Sequence, residues 1–392
     1  MTIKNLWPVM VLSLLILAIF LAGVFVGNQI IPAILGNDSQ IKSNYLVPFH
    51  DAWNSIHDQY LNQPVDDQKL MEGAIRGMLE SLNDPYSAYM DQDEYESQSA
   101  PLEGEYTGIG AWVDTTGEWL VIMSPMPDSP AERAGIMPGD IVVGIDGENV
   151  SSLDPALVLK KILGPAGTTV DLTILRDEET LEFEVERAVI QLPSVESRLI
   201  ADGIGYIRLY NFGVNSPDEV AKAYTKLREQ GADKLIFDLR NNSGGFVDSA
   251  VDITSFFLET GDILIEEWGD GSQKVYDHSG SSLDTDSPLV VLINEGSASA
   301  SEIMAGALQD YGRAVLVGAT SYGKGFIQVW DPLPNDFGAI RLTIARWLTP
   351  KGRQIQEEGL APNISVEITA EDLESLTDSQ LNRAIQYLKD LS

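Results

Sequence analysis

The chain opens on an apolar run, residues 6–27, broken only by Ser13, and no charge stands between Lys4 and Asp38. At about 1.5 Å per residue such a run crosses a hydrocarbon core of about 30 Å. Residues 1–30 are therefore predicted to be a single-pass membrane anchor, with a cleaved signal peptide as the alternative reading. Lys4, the only charge before the run, puts the amino terminus in the cytoplasm and everything after the span outside it, in the periplasm or the extracellular space. Residues 45–100 then read as helical. Phe49, Trp53, Ile56 and Tyr60 recur at helical spacing, and Leu70, Ile75, Met78 and Leu79 do so after a turn at Gln63-Pro64. This segment is predicted to be a packing or dimerisation element, so a homo-oligomer is one expectation.

Over residues 103–189 the pattern shortens to strands and turns. A glycine-rich loop, Thr107, Gly108, Ile109 and Gly110, leads into an apolar strand. The run S-P-A-E-R-A-G-I-M-P-G-D over residues 129–140 and a short helix starting at Asp154-Pro155 follow, then closing strands at 170–175 and 181–185. From residue 195 to 370 strands at 204–209, 234–239, 289–293, 315–317, 326–330 and 339–348 alternate with helices at 216–230, 250–258 and 302–310. That alternation predicts a layered α/β core. Residues 371–392 are polar and are predicted to be a C-terminal helical tail, with its helix at 381–388.

Composition narrows the chemistry. The chain of 392 residues has no cysteine and three histidines, His50, His57 and His278, with no paired-histidine metal motif. No metal or other cofactor is expected. A formal charge of -34 argues against nucleic acid, whose phosphates a binding protein must neutralise.

Two stretches carry candidate chemistry. The apolar strand at 289–293 turns through N-E-G-S-A-S-A-S-E, residues 294–302, into a helix. A serine lifted at a helix amino terminus has free N–H groups beside it that can stabilise an oxyanion. The competing reading is structural, because Ser299 and Glu302 have the spacing of a capping box. Downstream, Lys324 sits between Gly323 and Gly325 ahead of an apolar strand, and Gln328 can share its face. In a chain so poor in histidine, the pairing suggests a hydrolase whose serine is activated by an amine. Such a lysine must be buried, since lowering its pKa by about 3 units needs about 4 kcal/mol of discrimination against the charged form.

The order of the loop and A-x-x-A-G-I-x-x-G-D-I motif resembles a circularly permuted bacterial PDZ domain. Together with G-S-A-S-A-S-E, Y-G-K-G-x-x-Q and D-L-R-N-N-S-G-G, it resembles the carboxyl-terminal processing proteases across residues 49–388. The resemblance implies an α/β Ser-Lys protease core with Ser299 as nucleophile, Lys324 as general base and Gln328 as the group positioning the lysine. It implies the N–H groups of Ala300 and of Gly244, or Gly245, as oxyanion donors. Thr107, Gly108, Ile109 and Gly110 would present N–H groups to a substrate's terminal carboxylate, with the peptide adding as a strand. The implied partners are proteins or peptides with free carboxyl ends, signalling proteins among the candidate substrates.

Three other readings compete. Ser321 and Lys324 form an S-x-x-K motif, but without S-D-N or K-T-G partners and without a helix to open. His278 could serve a Ser-His-Asp triad, although its surroundings read as an exposed loop. A PDZ adaptor with a dead hydrolase core is the third, and no implied catalytic position is vacant.

Overall fold

The computed structural model describes residues 45–200 and 203–391. The predicted anchor at residues 1–30 lies outside these residues, and among them no helix is long and apolar enough to cross a membrane. The chain divides into two compact units, residues 1–74 and 75–392. In the first, the helix Leu46–Gln59 forms where the apolar spacing predicts it, yet none of its residues is buried. A second helix spans Asp67–Glu80.

The larger unit holds a PDZ-like sandwich and an α/β core. Its PDZ strands follow the order Ala111–Asp114, Val121–Pro125, Ile141–Ile145, Thr169–Arg176 and Glu179–Glu186, with Glu148–Asn149 beside Ile141–Ile145. Alternation does the packing: Val170, Leu172 and Ile174 point inward onto Ile122, Ile136, Val158 and Ile162. Asp154 caps the helix Pro155–Ile162, accepting the Ala156 N–H at 2.8 Å. Gly110 must be glycine, because at its φ of +76° a Cβ would stand 2.5 Å from Ser129 Cβ.

The core is built on a six-stranded sheet ordered Val195–Ile200, Ile204–Leu209, Lys234–Asp238, Leu289–Ile293, Val315–Gly318 and Ile364–Ser365. Every pairing after the first is parallel. Both faces of its central strands are covered, which explains why Leu289–Ile293 is a continuous apolar run. On one face Ile207, Leu235, Phe237 and Val291 meet the helices Ser216–Glu229, Val247–Ser255 and Ala300–Asp310. On the other, Tyr206, Ile236, Val290 and Leu292 meet Ala384 and Leu388 of the helix Ser379–Asp390. The segment read as a tail is thus the third layer of the core. Its polarity is that of a helix with one face in solvent.

A second, antiparallel sheet joins Ala88–Met90, Ala339–Leu348, Asp262–Trp268 and Gln273–Asp277, with Phe326–Pro332 on the other side of Ala339–Leu348. Two of its parts differ from the sequence reading. Ala88–Met90 is a strand inside a segment expected to be helical, and the hairpin of Asp262–Trp268 with Gln273–Asp277 has no counterpart among the expected elements. The hairpin hides its signal by burying Glu266, whose carboxylate accepts the Tyr276 hydroxyl at 2.9 Å.

Candidate active site

Three neighbouring parallel strands, Lys234–Asp238, Leu289–Ile293 and Val315–Gly318, release their loops at the same end of the sheet. Open α/β sheets bind ligands beyond those carboxyl ends. The loops carry, in order, Asn241 to Gly245, Asn294 to Ser299, and Ser321 to Lys324.

The first two loops are tied by amides. Asn241 N–H donates to Asn294 Oδ1 at 2.8 Å, and Asn294 Nδ2 donates to Asn241 Oδ1 at 2.9 Å. The Asn242 carbonyl accepts Ala298 N–H at 3.0 Å and the Ser301 hydroxyl at 2.8 Å. The serines of the turn then separate by role. Ser297 donates its hydroxyl to the Leu239 carbonyl at 2.8 Å, and both Ser297 and Ser301 are fully buried. Ser299 alone is partly exposed. Its backbone is at φ +55°, ψ −115°, a conformation that costs a non-glycine residue about 1–3 kcal/mol and persists where the surroundings impose it.

The capping box is also present: Ser299 N–H donates to Glu302 at 2.8 Å. Glu302 does far more than cap. Its fully buried carboxylate also accepts the Ser321 hydroxyl at 2.6 Å, Gly323 N–H at 2.6 Å and Lys324 N–H at 3.0 Å. One carboxylate therefore fixes the serine turn and the lysine loop to each other. The sequence reading missed this, seeing in Glu302 only the acid of a helix cap. Ser321 has a structural task, since its hydroxyl also accepts Leu360 N–H at 2.7 Å. His278 is half-buried and bonded to the carbonyls of Ser255 at 3.0 Å and Leu258 at 3.1 Å, away from the serine turn.

Lys324 is half-buried with its carbonyl accepting Trp347 Nε1 at 3.0 Å. Among the described residues its amine has no hydrogen-bond or ion-pair partner and lies 5.7 Å from the Tyr86 ring centroid. Burial pushes its pKa below the ordinary lysine value; the Arg341 charge pushes the same way, and Glu302 opposes both. Gln328 does not hydrogen-bond the lysine: its Nε2 is buried with no partner among the described residues. A cleft of about 380 Å³ beside the lysine loop is lined by Trp268, Phe326, Thr343, Ile344 and Arg346 among others.

Gly244 packs directly on the serine turn. A Cβ there, at φ +109°, would lie 2.9 Å from Ser299 Cβ and 3.0 Å from Ala300 N. The Gly244 N–H itself is taken by Asn242 Oδ1 at 2.9 Å. Gly245 bridges Phe212, with the hydrogen bonds made by Gly244 O and Phe246 N, so its own N–H faces away from Phe212. Of the two glycines, Gly245 is the better placed to offer an N–H.

Behind this loop Arg240, largely buried, donates to Asp238 at 2.7 Å and to Asp378 of the C-terminal layer at 2.8 Å. Burial opposes its charge, but the hydrogen bonds of Asp378 and Asp238 outweigh it and raise its pKa.

Fold and site together define a serine-type peptidase of family S41. The model of that family matches residues 203–366, that of the activating protease CtpB N-terminal domain residues 32–94, and that of the PDZ domain residues 121–176. The chain belongs to the carboxy-terminal-processing proteases of this family. It is 38% identical to such a protease from Bartonella bacilliformis over 89% of this chain and 82% of that one. To the carboxyl-terminal-processing protease of Synechocystis sp. it is 37% identical over 86% of this chain and 82% of the other. A crystal structure of a putative S41 protease from Bacteroides fragilis, 16% identical, covers 86% of this chain and 97% of its own with a TM-score of 0.51, a likeness of fold.

Proposed function

We propose that this peptidase is a membrane-anchored endopeptidase that captures the carboxyl end of a protein substrate in its PDZ domain and cleaves by a Ser-Lys dyad. The observation that carries the dyad is Glu302, whose carboxylate holds the strained Ser299 turn and the half-buried Lys324 in one arrangement. Neutral Lys324 takes the proton from Ser299 Oγ as that oxygen attacks the scissile carbonyl carbon. The resulting oxyanion is met by the Ala300 N–H at the helix start and by the Gly245 N–H. Collapse breaks the C–N bond, and the lysine ammonium returns the proton to the leaving amine. Water then attacks the acyl-enzyme, giving a proton to Lys324; collapse breaks the acyl C–Oγ bond, the lysine ammonium returns that proton to Ser299 Oγ, and the carboxylic acid leaves. Gln328 positions the lysine once the substrate draws the loop in.

Ser299→Ala and Lys324→Ala are expected to abolish cleavage of a free-acid peptide while thermal melts stay cooperative. Ser321→Ala retains measurable cleavage. Full activity in Ser299→Ala, or loss confined to Ser321→Ala, would overturn the dyad. The anchor and an extracytoplasmic placement rest on residues 6–27 and predict that full-length chain resists carbonate extraction, whereas chain lacking residues 1–30 does not. The uncovered apolar stripe of Leu46–Gln59 supports a homo-oligomer, which light scattering of the purified chain tests.

A further inference from the structure

The loop that carries Lys324 is braced by a residue far from it in sequence and outside residues 203–366, the span of the peptidase family model. Asp84 accepts the Tyr86 N–H at 3.0 Å and the Ser87 hydroxyl at 2.5 Å, the local bonding that an aspartate offers at a turn. Ser87 Oγ in its turn accepts Thr343 N–H at 3.0 Å, and Arg341 Nε donates to the Tyr86 carbonyl at 3.0 Å. The main chain at Tyr86 is therefore tied to the strand Ala339–Leu348. Its side chain reaches the lysine loop. The hydroxyl accepts Gln356 Nε2 at 3.2 Å, and Gln356 Oε1 accepts Gly325 N–H at 2.8 Å. Glu302 already holds Gly323 N–H and Lys324 N–H, so three consecutive N–H groups of the loop have partners. Trp347 takes the carbonyls, its N–H on Gly325 O at 2.9 Å and its Nε1 on Lys324 O at 3.0 Å. The main chain around Lys324 is thereby fixed, and the place of its amine is left to a flexible four-carbon stem. The Tyr86 ring stands 5.7 Å from that amine, with the Phe326 ring 5.8 Å away from it, centroid to centroid.

We propose that Tyr86 is a positioning residue for Lys324, a role that presupposes the Ser-Lys dyad put forward above. Its ring confines the lysine side chain and keeps water from the amine; its hydroxyl, through Gln356, fixes the main chain at Gly325. A lysine that acts as a base gives up most of its rotamers, and a ring already in place restricts them before substrate arrives. At 5.7 Å from the centroid the amine stands near the outer limit of a cation–π contact, so the ring acts more as cover than as a partner for the charge. Cover matters because burial is what holds this amine toward its neutral form. Arg341 and Glu302 are the charges that act on it. Arg341 bonds the Tyr86 carbonyl, so replacing the tyrosine side chain leaves that tie in place.

The test assays the intact chain with Tyr86→Ala, Tyr86→Phe, Gln356→Leu or Tyr86→Phe/Gln356→Leu for kcat, KM and the pH profile of kcat/KM on a fluorogenic peptide, with a thermal melt of each. Ser87→Ala is the control, because it loosens the same segment from Thr343 and leaves the lysine loop untouched. Tyr86→Ala is expected to lower kcat by about tenfold or more with KM within about twofold, and to move the acidic limb to higher pH as water reaches the amine. Tyr86→Phe keeps the limb in place and lowers kcat about three- to tenfold, the worth of one neutral hydrogen bond. That loss disappears when residue 356 is already leucine. A Tyr86→Ala limb that stays or moves down, a Tyr86→Ala kcat within about twofold of wild type, or an equal limb shift in Ser87→Ala overturns the proposal. So does a cost of Tyr86→Phe that is the same with and without Gln356. If Tyr86→Ala does not melt cooperatively, that cycle alone decides. Cleavage retained by Lys324→Ala would instead overturn the dyad, and the role of Tyr86 with it; an inactive Lys324→Ala beside an unmoved limb in Tyr86→Ala overturns the role of Tyr86 alone.

Discussion

Replacing Glu302 with glutamine tests the organisation of the site with almost no change of shape. The carboxylate accepts four donors, Ser299 N–H, Ser321 Oγ–H, Gly323 N–H and Lys324 N–H, at 2.6 to 3.0 Å. A carboxamide has one acceptor oxygen, so about two of these donors would face an N–H2 group. Hydrogen bonds to a charged group contribute about 1.5–3 kcal/mol each, which makes the loss about 3–6 kcal/mol. At about 2–4 °C per kcal/mol for a domain of this size, the melting temperature falls by roughly 6–24 °C. The lysine loop is also released from the serine turn, and a displacement near 1 Å is enough to lower kcat by about a hundredfold. The pH dependence separates this from mere destabilisation. Glu302 is the charge that holds the Lys324 pKa up against burial and Arg341; without it that pKa falls further, and the acidic limb of kcat/KM moves to lower pH. Calorimetry and a pH series on a fluorogenic peptide read all three effects. A melting temperature within about 2 °C of wild type with kcat/KM within about threefold, or an acidic limb that moves up, would refute the reasoning.

Two further outcomes follow from the charges around the loops. Arg341→Gln removes a cation that depresses the Lys324 pKa, so the acidic limb should move to higher pH; Arg341 also donates to Tyr86 O at 3.0 Å, so a melt must accompany the profile, and a downward shift contradicts the prediction. Arg240→Ala leaves Asp238, 1% exposed, without its cation; urea unfolding should show a loss of about 3–5 kcal/mol, and a loss under about 1 kcal/mol would mean that water or the Tyr206 hydroxyl, 2.7 Å away, compensates.

What was legible in the sequence was what a local pattern can encode. The strands at Ile204–Leu209, Leu289–Ile293 and Ala339–Leu348 form with the expected bounds, because mostly apolar stretches bounded by turn residues have few other folds open to them. The strand Ala88–Met90 was not legible, because it forms only by pairing with Ala339 to Arg341, some 250 residues away. The helix at residues 381–388 was legible, but its place as a third layer was not: Leu381, Ala384, Ile385 and Leu388 give it an apolar face, and only the fold shows that the face covers the sheet, with Asp378 at its start paired to Arg240 across the chain.

The site shows the same division. A serine on a turn and a glycine-flanked lysine are visible as residue types, but the choice among Ser297, Ser299 and Ser301 is geometric. It rests on which hydroxyls are already given to the carbonyls of Leu239 and Asn242. Glu302 is the sharper case. A capping box is local, and spacing alone predicts its acid to face solvent at a helix start; four converging donors from two loops make it a buried anion instead. A charge taken so far from water is tolerated only while every donor stays in place. The geometry of the proposed dyad is therefore coupled to the stability of the core, and an exposed capping acid could not couple the two.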